Sequence, residues 1–126
     1  MTLLEVRDLL MCEMFTGDEQ LHTRLAYGCA SDLMSDVLAF SQPGALLLTG
    51  LVTAHTVQTA FIADLKAVVL VRGKRPDHDV IALAKEKRIP LLTTPYSMYE
   101  ACGILYRQGL VSTMECALPG ESRGHA

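Results

Sequence analysis

A chain of 126 residues holds one domain of ordinary size, and half of its residues are hydrophobic, which excludes wholesale disorder. With 20% charged residues and a formal net charge of −3, it is not a general binder of nucleic acid or anionic membranes. The longest unbroken aliphatic stretches, Ala45–Leu48 and Ala67–Val71, fall far short of the roughly 18–20 residues that span a bilayer.

Thr2-Leu3-Leu4-Glu5 is a capping box, and Leu3, Val6, Leu9 and Leu10 follow at helical spacing. This predicts a helix ending near Leu10. A short strand is expected over Met11–Phe15, closed by Thr16-Gly17-Asp18, and a second over His22–Ala30 with weaker alternation. Ser31 or Asp32 is the expected cap of the next helix, whose apolar stripe is Leu33, Met34, Val37 and Leu38. Pro43-Gly44 stops and turns the chain.

A loose internal repeat begins here. Ala45–Thr49, Ala67–Val71 and Leu91–Thr94 are apolar runs without alternation, as parallel strands buried on both faces require. Each is followed by turn residues and a helical pattern. Thr53 precedes a helix with Ala54, Val57, Ala60 and Phe61 on one face. Pro76-Asp77-His78-Asp79 opens the next, with Val80, Ile81, Leu83 and Ala84 on its apolar side, and Lys85, Lys87 and Arg88 suit its C-terminal end. Ser97-Met98-Tyr99-Glu100 is a second capping box, followed by the stripe Met98, Ala101, Cys102 and Leu105, with Gly109 as the residue past the helix end. The expected architecture is an α/β domain over residues 1–111, with a predominantly parallel five-stranded sheet and about five helices. Residues 112–126, with Pro119, Gly120 and Gly124, read as a mobile C-terminal tail.

Cys12, Cys29, Cys102 and Cys116 include no close pair of metal-site spacing, and His22, His55, His78 and His125 are scattered. No metal or cofactor is expected. Glu5, Arg7 and Asp8 interrupt the N-terminal apolar pattern, so no signal peptide is read there, and a cytoplasmic protein with reduced thiols is expected.

In an open parallel sheet, ligands bind beyond the carboxyl ends of the strands. Three loops should converge there: Thr49, Gly50, Thr53 and His55 in the first; Arg72, Gly73, Lys74 and Arg75 in the second; Thr93, Thr94 and Ser97 in the third. Hydroxyls, a basic loop and helix N-terminal amides together suit a phosphate or nucleotide. Thr53 and Ser97 are also ordinary cap positions, and Arg72–Arg75 also reads as a solvated turn. No Walker A or G-x-G-x-x-G pattern occurs, which disfavours an ATPase or a standard dinucleotide enzyme. Cys29, Ser31 and Asp32 lie close together, but a base would have to come from His22 or His55, so a helix start beside a core cysteine is the plainer reading. Asp32 and Asp36, one turn apart, read as surface charge.

The segment Tyr27–Leu38, Y-G-C-A-S-D-L-M-S-D-V-L, resembles the Y-x-x-A-S-D-L-L-S-D-V-M-A stretch of small single-domain DRTGG-domain proteins. Val68–Asp77 is similar to that family's apolar strand, G-x-x-P turn and helix start, and Ile89–Thr94 to its I-P-[IL]-L-x-T strand. The likeness runs in order from about Leu3 to Leu110. The family takes its name from an Asp-Arg after a strand glycine and a Thr-Gly-Gly at the next strand end. Here Leu51-Val52 follow Gly50, and the second motif is reduced to Val71-Arg72-Gly73. The resemblance implies a fold related to the N-terminal domain of HPr kinase and a non-catalytic regulatory or accessory module of the hydrogenase-associated type. It singles out Ser31, Asp32, Ser35 and Asp36 as a motif segment of unassigned role. Two functions are carried forward. One is a module that binds a small anionic metabolite or nucleotide at the strand-end loops. The other is a protein-interaction module, a homodimer with a hydrogenase- or sensor-kinase-related partner. The apolar surplus, with about five helices to cover both faces of the sheet, independently predicts self-association.

Overall fold

The computed structural model describes residues 1–112 of the chain. The elements run α1 (Leu3–Leu9), β1 (Glu13–Thr16), β2 (Tyr27–Ala30), α2 (Met34–Phe40), β3 (Ala45–Thr49), α3 (Ala54–Ile62), β4 (Ala67–Leu70), α4 (His78–Lys87), β5 (Leu91–Thr93) and α5 (Met98–Arg107). They form one five-stranded sheet in the order β1-β5-β4-β3-β2, parallel except for β1, which pairs antiparallel with β5. The α/β architecture with five helices is as expected.

The three apolar runs are buried along their whole length. Alternate residues feed two separate cores. Ala45, Leu47, Val68, Leu70 and Leu91 pack under α2, α3 and α4, with Val37, Val57, Ala60, Val80 and Ala84. Leu46, Leu48, Ala67, Val69 and Leu92 pack under α1 and α5, with Leu3, Val6, Ala101 and Leu105. Strands β2 to β5 follow one another across the sheet, so the three connecting helices fall on one face and the terminal helices cover the other.

The helix ends follow the sequence signals. Thr2 and Glu5 close the capping box of α1. Asp77 caps α4 by accepting from the Val80 N–H at 3.0 Å. Past α5, the Leu110 N–H reaches the Leu105 carbonyl and the Gly109 N–H the Tyr106 carbonyl, a Schellman ending.

Several expectations are corrected. The first strand is Glu13–Thr16, not Met11–Phe15, because Met11 takes a left-handed conformation (φ 53°) that turns the chain out of α1. The strand expected over His22–Ala30 contracts to Tyr27–Ala30, preceded by exposed His22, Arg24 and Ala26. In α2, Met34 and Val37 are buried, whereas Leu33 and Leu38 are exposed. Its cap position is Leu33, with no side-chain cap, because Ser31 and Asp32 bond elsewhere. In α3, Ala54 and Phe61 are exposed, and Thr56 and Thr59 share the buried face with Val57 and Ala60. Phe61 instead lies under the Lys87 ammonium, 4.7 Å from it. Ser112 does not begin the tail: it bridges Gly28 in parallel, beside a Gly28 N–H···O bond to Val111 of 2.8 Å. The rest of the expected tail, with Cys116 and His125, lies outside the described residues.

Candidate functional site

The four parallel strands deliver their C-terminal ends to one edge of the sheet. At the end of β3, Thr49 and Gly50 meet a side chain from the turn after β2. The Asp32 carboxylate oxygen Oδ1 accepts from the Gly50 N–H at 2.6 Å and from the Thr49 hydroxyl at 3.0 Å. Thr49 Oγ1 in turn accepts from the Leu51 N–H at 3.1 Å. From the opposite side, Lys74 Nζ donates to the Gly50 carbonyl at 2.8 Å. Gly50 sits close to both groups: a Cβ there would lie 3.3 Å from Lys74 Nζ, the flexible end of a side chain, and 3.5 Å, an ordinary van der Waals contact, from both Asp32 carboxylate oxygens.

The loop carrying Lys74 is tied down as well. Arg72 and Gly73 both have positive φ, 60° and 66°, and the Lys74 N–H returns to the Val71 carbonyl, which makes a type I′ turn. The Arg72 N–H bonds the Tyr96 carbonyl at 2.8 Å and the Gly73 N–H bonds the Thr94 carbonyl at 2.7 Å. The guanidinium side of Arg72 is left exposed, on a backbone that favours glycine.

The expected residues divide accordingly. Thr49, Gly50, Arg72 and Gly73 do belong to the converging loops, joined by Asp32 and Lys74. Thr53 and His55 are exposed at the start of α3, and Thr53 makes no side-chain cap. Thr93 and Thr94 are buried: Thr93 donates to the Leu70 carbonyl at 3.3 Å and Thr94 to the Leu10 carbonyl at 2.6 Å, so both hydroxyls hold the fold together. Ser97 caps α5 by accepting from the Glu100 N–H at 3.3 Å. Arg75 turns toward β1 and forms a two-point pair with Glu13, at 2.7 and 3.0 Å, over the Phe15 ring. That pairing raises the Arg75 pKa and lowers that of Glu13. The loop amides of Gly50, Leu51, Arg72, Gly73 and Lys74 all have acceptors within the protein.

Of the motif segment, Ser31 accepts from the Leu33 N–H at 3.0 Å and shapes the turn, and Asp32 reaches the β3 loop. Ser35 is exposed and Asp36 half-buried on α2, and among the described residues neither side chain bonds to the cluster. Cys29 is buried. Among the described residues, no three His, Cys, Asp or Glu side chains come together as a metal site, and no helix is long and apolar enough to cross a membrane.

Sequence reading missed a cavity of 340 Å³ between β2, β3 and α5. Gly28, Ala30, Leu48, Cys102, Leu105 and Tyr106 are among its walls. Ala30 lies two residues before Asp32, and Leu48 two before Gly50. The cavity walls thus include residues at the C-terminal ends of β2 and β3, while Asp32, Thr49, Gly50 and Lys74 do not line it. Burial raises the Cys102 thiol pKa, so this wall presents a neutral thiol. No single-element signal marks the cavity, because it needs the relative placement of two strands and a helix distant in sequence.

The model of the DRTGG domain family matches residues 5–107. The chain belongs to the DRTGG-domain family. A solved structure of similar fold is described as the CBS and DRTGG domains of the regulatory region of Clostridium perfringens pyrophosphatase, complexed with the activator diadenosine tetraphosphate. It superposes with a TM-score of 0.71 at 19% identity, over 90% of this chain and 50% of that one. This DRTGG domain thus spans half of that structure. No curated protein matches the chain. The likeness supports the α/β fold read from the sequence.

Proposed function

We propose that this DRTGG domain is a non-catalytic regulatory module that binds a small anionic metabolite, most specifically a nucleotide, at the C-terminal edge of its sheet. The observation that carries this reading is the apolar cavity of 340 Å³ whose walls include Ala30 and Leu48, each two residues before a member, Asp32 or Gly50, of the polar cluster at the strand ends. Its volume falls in the usual range for small-molecule sites, and its walls suit a flat base or other apolar group. The strand edge carries the exposed cationic chains of Lys74 and Arg72 for the anionic end. Arg72 is held at a left-handed position costing roughly 1–2 kcal/mol for a non-glycine residue, an expense that an anion contact would offset. The pyrophosphatase regulatory region, similar in fold, was crystallised with a dinucleoside polyphosphate. A thermal-shift screen of nucleotides and phosphorylated metabolites tests the proposal. A ligand at 100 times its Kd adds about 2.7 kcal/mol of stability, and Lys74→Ala removes that gain. A flat response across the screen would contradict it.

The second reading is a protein-interaction module, self-associating and meeting a hydrogenase- or sensor-kinase-related partner. It is favoured by Tyr99 and Tyr106, 91% and 69% exposed two turns apart on α5. Light scattering discriminates its self-association: a dimer that Tyr99→Ser and Tyr106→Ser dissociate supports it, and a monomer at micromolar concentration contradicts it.

A further inference from the structure

We propose that Asp32 is a displaceable internal anion that holds the strand-edge site shut. Its carboxylate occupies the place of the ligand's anionic oxygen and must leave Gly50 and Thr49 for the ligand to seat. This rests on the strand-edge reading and adds its regulation.

The geometry is that of an occupied anion receptor. One carboxylate oxygen takes both the Gly50 N–H at 2.6 Å and the Thr49 O–H at 3.0 Å, the donors a phosphate oxygen would take. Both donors come from the β3 loop, whereas the acceptor comes from another element, the turn between β2 and α2. Asp32 is exposed, so its carboxylate can return to water without a burial cost. It is not held in place by a helix-capping role, because the cap position of α2 is Leu33 and carries no side-chain cap. The donors are built in more firmly than the acceptor: Thr49 is fully buried, and its hydroxyl is oriented by the Leu51 N–H.

The cation beside the receptor is bonded to a backbone carbonyl rather than to a carboxylate. Lys74 Nζ contacts the Gly50 carbonyl at 2.8 Å, and among the described residues it forms no ion pair with a carboxylate. A ligand phosphate in the place of Asp32 therefore exchanges a carboxylate for a more highly charged group next to an unpaired ammonium. The open edge, with Asp32 in water, then carries net positive charge from Lys74 and Arg72.

The test uses the full chain labelled with ¹⁵N and ¹³C and two probes, inorganic phosphate and a panel of nucleotides, read at the Gly50 amide and the Asp32 carboxylate carbon. In the wild type, phosphate moves the Gly50 resonance only weakly and does not saturate at the concentrations that saturate the Asp32→Ala variant. In Asp32→Ala the same titration moves it saturably, with binding about tenfold tighter than in the wild type, and Lys74→Ala in that background abolishes the response. Asp32→Asn keeps a neutral acceptor for the Gly50 N–H and preserves the fold if the alanine variant does not. It too binds phosphate more tightly than the wild type. A Gly50 amide unmoved by phosphate in a folded Asp32 variant overturns the inference. The two claims separate with the nucleotides. A nucleotide that binds the wild type while the Asp32 carboxylate carbon and Gly50 amide stay fixed overturns the inference and leaves the functional reading standing. Phosphate binding by the variants with no nucleotide binding by the wild type does the reverse.

Discussion

At the scale of single residues, the fold depends on a few hydroxyls that replace missing backbone partners. Register slips between Met14 and Thr16 where β1 meets β5. Thr16 repairs the slip: its hydroxyl donates to the Ile89 carbonyl at 2.8 Å and accepts from the Leu91 N–H at 3.0 Å. Thr16→Val keeps the volume and leaves both backbone groups unpaired, so chemical denaturation should show a loss of about 2 kcal/mol or more. Thr59 is the opposite case. Its hydroxyl is buried without a hydrogen-bond partner among the described residues. Thr59→Val removes that unsatisfied group at nearly constant shape and should raise stability by about 1 kcal/mol, visible as a higher Tm. The exposed Glu13–Arg75 pair sets a pH-dependent contribution of known sign. The hydrogen bond and charge of Arg75 lower the Glu13 pKa in the folded state. The stabilisation is therefore complete above the ordinary carboxylate range and is lost as pH falls through the lowered folded value. An NMR titration of the Glu13 carboxyl carbon should give a midpoint below that of a free glutamate. Arg75→Gln should return it to the ordinary range, and salt should narrow the gap.

At the scale of elements, the parallel strands were the most legible part of the sequence. Ala45–Thr49 and Ala67–Val71 lack alternation because both of their faces are covered, and nothing in their environment competes with that pattern. Caps were legible where a side chain bonds within its own helix, as at Thr2, Asp77 and Ser97. They were not where a distant group outbid the local one. Asp32 has the residue type and position of a helix cap, but the Gly50 amide and Thr49 hydroxyl, 18 and 17 residues on, hold its carboxylate. The site threonines failed for a related reason. A hydroxyl at a strand end looks alike in sequence whether it faces a ligand or a backbone carbonyl, and Thr93 and Thr94 face the carbonyls of Leu70 and Leu10. Arg75 was drawn away by Glu13, a partner 62 residues earlier that no local pattern connects to it.

At the scale of the whole molecule, the composition argument changes its meaning. The apolar surplus does not leave a sheet face bare: one layer of three helices and one of two bury both. The surplus emerges instead on the helices, at Leu33, Leu38 and Phe40 of the α2 region, Phe61 and Ile62 of α3, and Tyr99 and Tyr106 of α5. The thinner, two-helix layer leaves the cavity between β2, β3 and α5, and this unequal cover places an apolar space against the C-terminal ends of β2 and β3. Because the cavity and the edge belong to one site in this account, a ligand must perturb both together. Chemical-shift mapping of a nucleotide on the labelled wild-type chain tests this directly. The account predicts saturable shifts that cluster at Ala30, Asp32, Leu48, Gly50, Lys74 and Leu105, with the far end of the sheet around Thr16 and Pro90 unmoved. A bound nucleotide whose shifts lie elsewhere, or no saturable shift from any nucleotide at millimolar concentration, would contradict it.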